Sequence, residues 1–338
     1  MLTFQPIKIS NLSLKNRIVM PPMCMYSSDD SGFVNEFHKV HYISRAIGGV
    51  GLIIQEATSV EKRGRISEND LGIWEDDQVE GLKELVSGIK KHDSKVAIQL
   101  AHAGRKCGVK NEDIISCSPI NFNDDYKVAR EMTIDDIKTV VESFKLAAIR
   151  ALEADYDALE IHAAHGYLIH QFLSPITNHR SDEYGGSLTN RVKLLKEILI
   201  SVHQVWPNDR PIILRVSASD YVKDGIDVYM MKDIINQIKD LIDIVHVSSG
   251  GLVLAHINIF PGYQVKFAEY LKIETGLPTI AVGLITNIEQ VEEILGNNRA
   301  DLVALGRELL RNPNWVLNNA NSSDVKIQYP PQYLRAYK

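Results

Sequence analysis

Cysteine is scarce in this chain. The 338 residues hold three, Cys24, Cys107 and Cys117, an odd number that cannot close a full disulfide set. None belongs to a C-x-x-C pair, so nothing reads as a zinc site of paired cysteines. Runs of about 18 uncharged apolar residues are missing, and the opening stretch Met1–Arg17 has no continuous apolar segment, so neither a membrane span nor a secretory signal is expected. Basic surplus is missing too: 37 Lys and Arg face 43 Asp and Glu, a net charge of −6, which argues against a nucleic-acid partner. A reducing compartment, most simply the cytoplasm, is the expected setting. No low-complexity tract, charge block or Pro/Gly/Ser-rich linker marks a domain boundary. The G-x-G-x-x-G turn of a dinucleotide-binding open sheet is absent as well.

What is present is a substantial core. Hydrophobic residues make up 45% and charged ones 24%, which excludes general disorder. Eight short runs of Val, Ile and Leu recur: Arg17–Met20, Val50–Gln55, Lys95–Leu100, Asp157–His162, Pro211–Val216, Asp243–Val247, Pro278–Val282 and Asp301–Leu305. Continuous apolar runs this short fit strands buried on both faces, as in parallel sheets. Helical patterns lie between them: Glu36–Ile47, Asp77–Ile89, Thr133–Ala154 behind a T-x-x-D capping start, Asn190–Val205, Met231–Leu241, Asn287–Leu295 and Pro313–Asn318.

The alternation predicts an α/β protein, a single (β/α)8 TIM barrel over residues 1–338. Such a barrel takes about 250 residues. The surplus falls in long loops after strand 3 (Gly104–Arg130) and strand 4 (Gly166–Leu188). The segment Ile7–Leu14 alternates apolar and polar around Ser-Asn and reads as a β-hairpin plugging the barrel bottom.

In this fold the chemistry gathers at the carboxyl ends of the strands. Strand 1 delivers Pro21, Pro22, Met23, Cys24 and Tyr26; strand 2 Glu56 and Ala57; strand 3 Gln99, then His102 and Lys106. Strand 4 delivers His162, His165 and Tyr167, strand 5 Arg215, and strand 6 Ser248 to Gly251. Gly283 and Gly306 follow strands 7 and 8, with Arg307 directly after, which suits a phosphate: glycine admits backbone N–H groups and arginine adds a bidentate cation. Tight turns alone would also explain the glycines.

His162-x-x-His165 admits three readings: a metal pair lacking an evident third ligand, two donors that polarise a substrate oxygen, or one packed and one exposed ring. Arg215 sits inside a buried run and needs an anion, either Glu160 or charge developing on a bound ring. Gln99 suits an amide-edged heterocycle. Cys24, between two methionines, is poorly placed to be an acidic nucleophile.

Longer runs carry more. Leu14–Met20 with Pro22–Tyr26, Gln99–Arg105, Glu160–His170, Phe172–Pro175, and Asn178–Ser187 with Asn190 and Arg191 resemble the old yellow enzyme family of flavin-dependent ene-reductases, in its bacterial NADPH dehydrogenase branch. The resemblance spans almost the whole chain. It implies non-covalent FMN, reduced by NADPH and reoxidised by electrophilic alkenes or nitro compounds, and a detoxification role. It implies further that Pro21, Pro22, Met23, Cys24 and Ala57 line the flavin, that Gln99 and Arg215 meet its pyrimidine side, and that Gly283, Gly306 and Arg307 hold its phosphate. His162 and His165 would bind substrate oxygen, Tyr26 and Lys106 would lie on the substrate side, and Tyr167 or solvent would supply a proton. The tail, about 320–338, would dock on a neighbouring subunit with Arg335 reaching its site, in a homotetramer built as a dimer of dimers. The loop Cys107–Asn123 departs from the branch's pattern, which leaves substrate preference open. Two other readings remain: a metal-dependent hydrolase or lyase using His162 and His165, and a barrel that binds a phosphate ligand without catalysis.

Overall fold

Eight largely aliphatic runs with apolar residues on both faces can be satisfied only by helices on the outside and packing on the inside, and the computed structural model, which describes residues 1–337, resolves them that way. The barrel strands are β1 (Ile18–Met20), β2 (Leu52–Ser59), β3 (Lys95–Ala101), β4 (Ala158–Ala163), β5 (Ile212–Ser217), β6 (Ile244–Ser248), β7 (Thr279–Ala281) and β8 (Leu302–Ala304). Each pairs in parallel with the next. β8 returns to β1 through Val303–Ile18 and Ala304–Val19, closing the barrel. A two-residue strand, Leu71–Gly72, extends alongside β2. All eight runs read from the sequence are therefore strands.

The barrel interior is layered. At the bottom Val19, Leu52, Ile54, Ala97, Ala158, Ile213, Ile244, Ile280 and Leu302 form one apolar cluster. The hairpin Ile7–Ile9/Leu12–Leu14 caps it by inserting Ile9, Leu12 and Leu14, each buried. Burying an aliphatic side chain of this size contributes about 1.5–3 kcal/mol, enough for three of them to hold the plug. Side chains two positions apart share a strand face. The next layer is therefore Gln99, Glu160, Arg215 and His246, and the layer above it holds His162, Ser217 and Ser248. The interior turns from apolar to polar towards the carboxyl ends.

The outer ring is α1 (Glu36–Ile47), α2 (Val79–Lys90), α3 (Ile134–Glu153), α4 (Leu188–His203), α5 (Val228–Asn236), α6 (Val265–Thr275), α7 (Ile288–Gly296) and α8 (Trp315–Ser322). Local signals start several of them. The Thr133 hydroxyl accepts from the N–H of Asp136 while Asp136 reaches back, the capping box read in the sequence. Asn35, Ser187, Asp227 and Asn287 cap four others. Differences from expectation have local causes. Asp227 starts α5 earlier than Met231, and the predicted continuation to Leu241 breaks into a separate turn at Lys239–Leu241. Helix α8 begins beyond Pro313, at Trp315. Helix α6 was not expected: Ile273, 71% exposed, blurs its apolar stripe. The long connections after β3 and β4 are as expected, and the second contains a short helix, Leu168–Leu173. Among the described residues no helix is long and apolar enough to cross a membrane.

Candidate active site

The end of β4 turns abruptly. His165 adopts a left-handed φ of 57°, held because its backbone N–H donates to Ser217 Oγ at 2.9 Å. His162 Nδ1 accepts from the N–H of Ala164 at 3.3 Å, which leaves the proton on Nε2. His165 Nε2 is hydrogen-bonded to Ser248 Oγ at 2.8 Å, and Gln264 Nε2 donates to both Ser248 Oγ (3.1 Å) and Ser249 Oγ (2.7 Å). The two imidazoles stand edge to face, centroids 5.3 Å apart. Burial, then the Arg215 charge, holds both well below the usual imidazole range, so both rings are neutral.

Tyr167 follows, its ring edge-on to His162 with centroids 4.9 Å apart. Burial raises its phenol well above its ordinary value, so the proton stays on Oη. Lys106 Nζ donates to the carbonyls of His165 (3.0 Å) and Gly251 (3.1 Å) and lies 5.0 Å from the Tyr167 ring centre. Burial lowers its ammonium to about 8. The clamp depends on glycine: at φ 76°, a Cβ on Gly166 would stand 2.3 Å from the carbonyl oxygen of Gly251.

Below this layer lies Arg215. It is 8% exposed, and its guanidinium donates to the carbonyl of Pro22 (3.3 Å) with Nε buried and unpartnered. The ion pair with Glu160 considered from sequence does not form. Glu160 instead accepts from Gln99 Nε2 at 2.7 Å and from His246 Nδ1 at 2.7 Å. A buried cation without a carboxylate partner is costly unless something anionic or carbonyl-bearing meets it.

The β1 end packs beside it. Pro21 and Pro22 are buried, Met23 and Cys24 half-buried, and Tyr26 is 50% exposed with φ 49°. Burial, then Asp70 and Glu56, pushes the Cys24 thiol up, so it is no thiolate nucleophile. Burial likewise raises Tyr26 to about 12. Glu56, next to Ala57, accepts from the N–H of Met25 (2.7 Å) and from Tyr42 Oη (3.0 Å); burial raises its carboxyl to about 7. Gly306 opens the short helix Gly306–Arg311, and a Cβ there would meet only Met23 Sδ at 3.5 Å and Pro21 Cγ at 3.7 Å. Gly283 has φ 133°. Arg307 is exposed, and among the described residues it has no ion-pair partner.

One strand-end mouth thus gathers Pro21, Pro22, Met23, Cys24, Tyr26, Ala57, Gln99, Lys106, His162, His165, Tyr167 and Arg215, with Gly283, Gly306 and Arg307 at the ends of β7 and β8. Arg335 is different: exposed on the tail, it makes no ion pair or hydrogen bond with any of these. Sequence reasoning gave no role to Ser217 or Gln264 and considered Glu160 only as a partner for Arg215. Strand alternation flags Ser217 and His246 as inward-facing; nothing local flags Gln264.

A family model described as the NADH:flavin oxidoreductase / NADH oxidase family matches residues 3–323. The chain belongs to that family. It is an oxidoreductase and a flavoprotein with FMN as cofactor, in agreement with the resemblance to old yellow enzyme. It is 56% identical to an NADPH dehydrogenase of Clostridium acetobutylicum over 99% of both chains. Morphinone reductase shares the barrel at a TM-score of 0.82 and 26% identity, with 98% of this chain and 92% of that one covered. A 2-naphthoyl-CoA reductase superposes at a TM-score of 0.90 but 23% identity, which speaks for the fold; this chain spans 52% of it. The hydrolase or lyase reading gives way. His162 and His165 belong to an oxidoreductase, and among the described residues no three His, Cys, Asp or Glu side chains are grouped to hold a metal.

The site fits FMN on its own terms. An under-satisfied buried guanidinium, an amide beside it and an open glycine cradle at a helix start match a carbonyl-rich ring and a phosphate.

Proposed function

We propose that the protein is an FMN-dependent NADPH dehydrogenase that reduces the C=C bond of α,β-unsaturated aldehydes and ketones, with nitroesters and nitroaromatics as further acceptors. The relatives named NADPH dehydrogenase support the choice of reductant. The observation that carries the substrate class is the neutral histidine pair: His162, with Nδ1 engaged by the Ala164 N–H, offers Nε2–H to a carbonyl or nitro oxygen. His165, with Nε2 engaged by Ser248, offers Nδ1.

In this reading Pro21, Pro22, Met23, Cys24, Ala57, Gln99 and Arg215 hold the isoalloxazine, and Gly283, Gly306 and Arg307 the phosphate. Held there, FMN would supply the hydride-transfer chemistry that links NADPH to the acceptor. The protein's part is to polarise and to supply a proton. Donors aimed at the substrate oxygen draw electron density from the β-carbon. Tyr167, whose phenol keeps its proton at neutral pH, delivers it from Oη to the α-carbon. Tyr26 and Lys106 border the substrate. The whole chain works as one barrel in the cytoplasm, on small electrophiles whose removal amounts to detoxification. The tail docks on a neighbouring subunit of a tetramer, where Arg335 completes the partner's site.

Purified protein should be yellow, and NADPH should bleach its flavin absorbance anaerobically, with recovery on adding cyclohexenone. Colourless protein that FMN fails to reconstitute would overturn the assignment.

A further inference from the structure

The middle layer of the barrel holds a carboxylate that the proposed reaction does not use. Glu160 is fully buried, and each of its oxygens accepts one hydrogen bond of 2.7 Å: Oε1 from Gln99 Nε2 and Oε2 from His246 Nδ1. Barrel interiors at this level are ordinarily filled by branched aliphatics. Here the strand registers place Gln99 beside Glu160, and Arg215 beside His246. A buried carboxylate costs several kcal/mol in desolvation, and hydrophobic replacements are often more stable. Stability is therefore a poor reason for Glu160.

Geometry supplies a better one. A carboxylate accepts and cannot donate, so it dictates that Gln99 turns its NH2 inward and leaves Oε1 free. Among the described residues Oε1 accepts no hydrogen bond. Gln99 consequently presents an acceptor to the ring that Arg215 faces with a donor. An imide edge carries that pattern, an N–H between two carbonyls. The charge matters as well. Glu160 is the carboxylate that acts most strongly on Arg215, yet it forms no ion pair with it.

We propose that Glu160 is a positioning residue for the flavin: it fixes which face of the Gln99 amide meets the pyrimidine edge and offsets the Arg215 charge, so setting the cofactor's potential. His246 is its second anchor. The inference rests on the FMN reading above and concerns how this chain tunes that group.

The test is Glu160→Gln in the holoenzyme, read by the midpoint potential of bound FMN and by FMN affinity in fluorescence titration. Removing the negative charge should favour the more negative reduced flavin. Its affinity relative to the oxidised form should rise about tenfold, an upward shift of ~30 mV for two electrons. Freed from Glu160, Gln99 should also hold oxidised FMN about tenfold less tightly, and this loss should vanish in a Gln99→Leu background because the effect runs through the amide. An unchanged potential would overturn the proposal, as would the same affinity loss with and without Gln99. Should E160Q not fold, His246→Leu replaces it: with one of its two anchors gone, the carboxylate no longer keeps its place near Arg215, so the potential should rise. His246→Gln, which can still donate, should restore it, and equal potentials in the two His246 variants would overturn the idea. Wild-type protein unable to bind FMN would sink the underlying reading together with this one; flavin-bound wild type with silent variants sinks this one alone.

Discussion

The ring of Tyr167 stands edge-on to the imidazole of His162, with centroids 4.9 Å apart at an interplanar angle of 76°. The neutral donor and the phenol that keeps its proton are thereby neighbours, from opposite sides of the turn that ends β4. Tyr167→Phe keeps the ring and removes the proton. Alkene reduction should slow about 10²–10⁴-fold, while flavin reduction by NADPH is spared. Stopped-flow measurement of the two half-reactions decides, and equal loss in both would refute the proton-donor role.

His162→Ala removes a donor aimed at developing negative charge. The second-order rate constant for enones should fall about 10²–10³-fold with FMN content unchanged, as read by absorbance. Loss of the flavin instead would assign His162 to the cofactor.

Ser248→Ala frees His165 Nε2, whose partner Ser248 is itself held by Gln264. One neutral hydrogen bond contributes about 1 kcal/mol, so KM for an enone should rise roughly fivefold with kcat little changed. An unchanged KM would show that His165 needs no support from β6.

Gly306→Ala places a methyl group where it meets only Met23 and Pro21, at ordinary contact distances. The melting temperature of apoprotein should stay put, whereas the dissociation constant for FMN should rise at least about tenfold, because the methyl group blocks approach to the helix start. Equal loss for riboflavin and FMN would remove the phosphate from that position.

Acid should destabilise the protein in a defined window. Burial lowers His38 and His41 to about 4, and holds His162 and His165 well below the usual range. On unfolding they take up protons, so their contribution is complete above about 6.5 and falls as pH drops towards 4. Glu56 opposes this, since its raised value of about 7 yields stability that is lost as pH rises through 7. Four imidazoles outweigh one carboxyl. Urea midpoints should therefore fall between pH 6.5 and 4, and a flat profile would contradict the burial of these rings.

Much of the barrel was legible because its signals are local. A run such as Pro211–Val216 carries apolar residues on both faces, Arg215 alone excepted, and only a covered parallel strand accommodates that. Thr133 and Asp136 announce the start of α3 to each other across three residues. Helix α6 escaped because Ile273 and Tyr270 break its stripe. Much of the site was legible too, since the strand-end rule needs only the strands.

Partnership was not legible, and Glu160 shows why. Its run says that it is buried and which way it faces, but its neighbours come from residues 61 positions before it and 86 after it. Arg215 was an equally good candidate on charge alone. Closure of the barrel settled the choice: strand register puts Gln99 beside Glu160, the closed interior brings His246 to its other oxygen, and Arg215 is left without a carboxylate. The same holds for His165, whose ring position and left-handed backbone depend on serines from β6 and β5. Residue type and spacing dictate which elements form and which side chains point inward; which inward-facing groups meet is decided when eight strands close on one another and fix which donors face which acceptors.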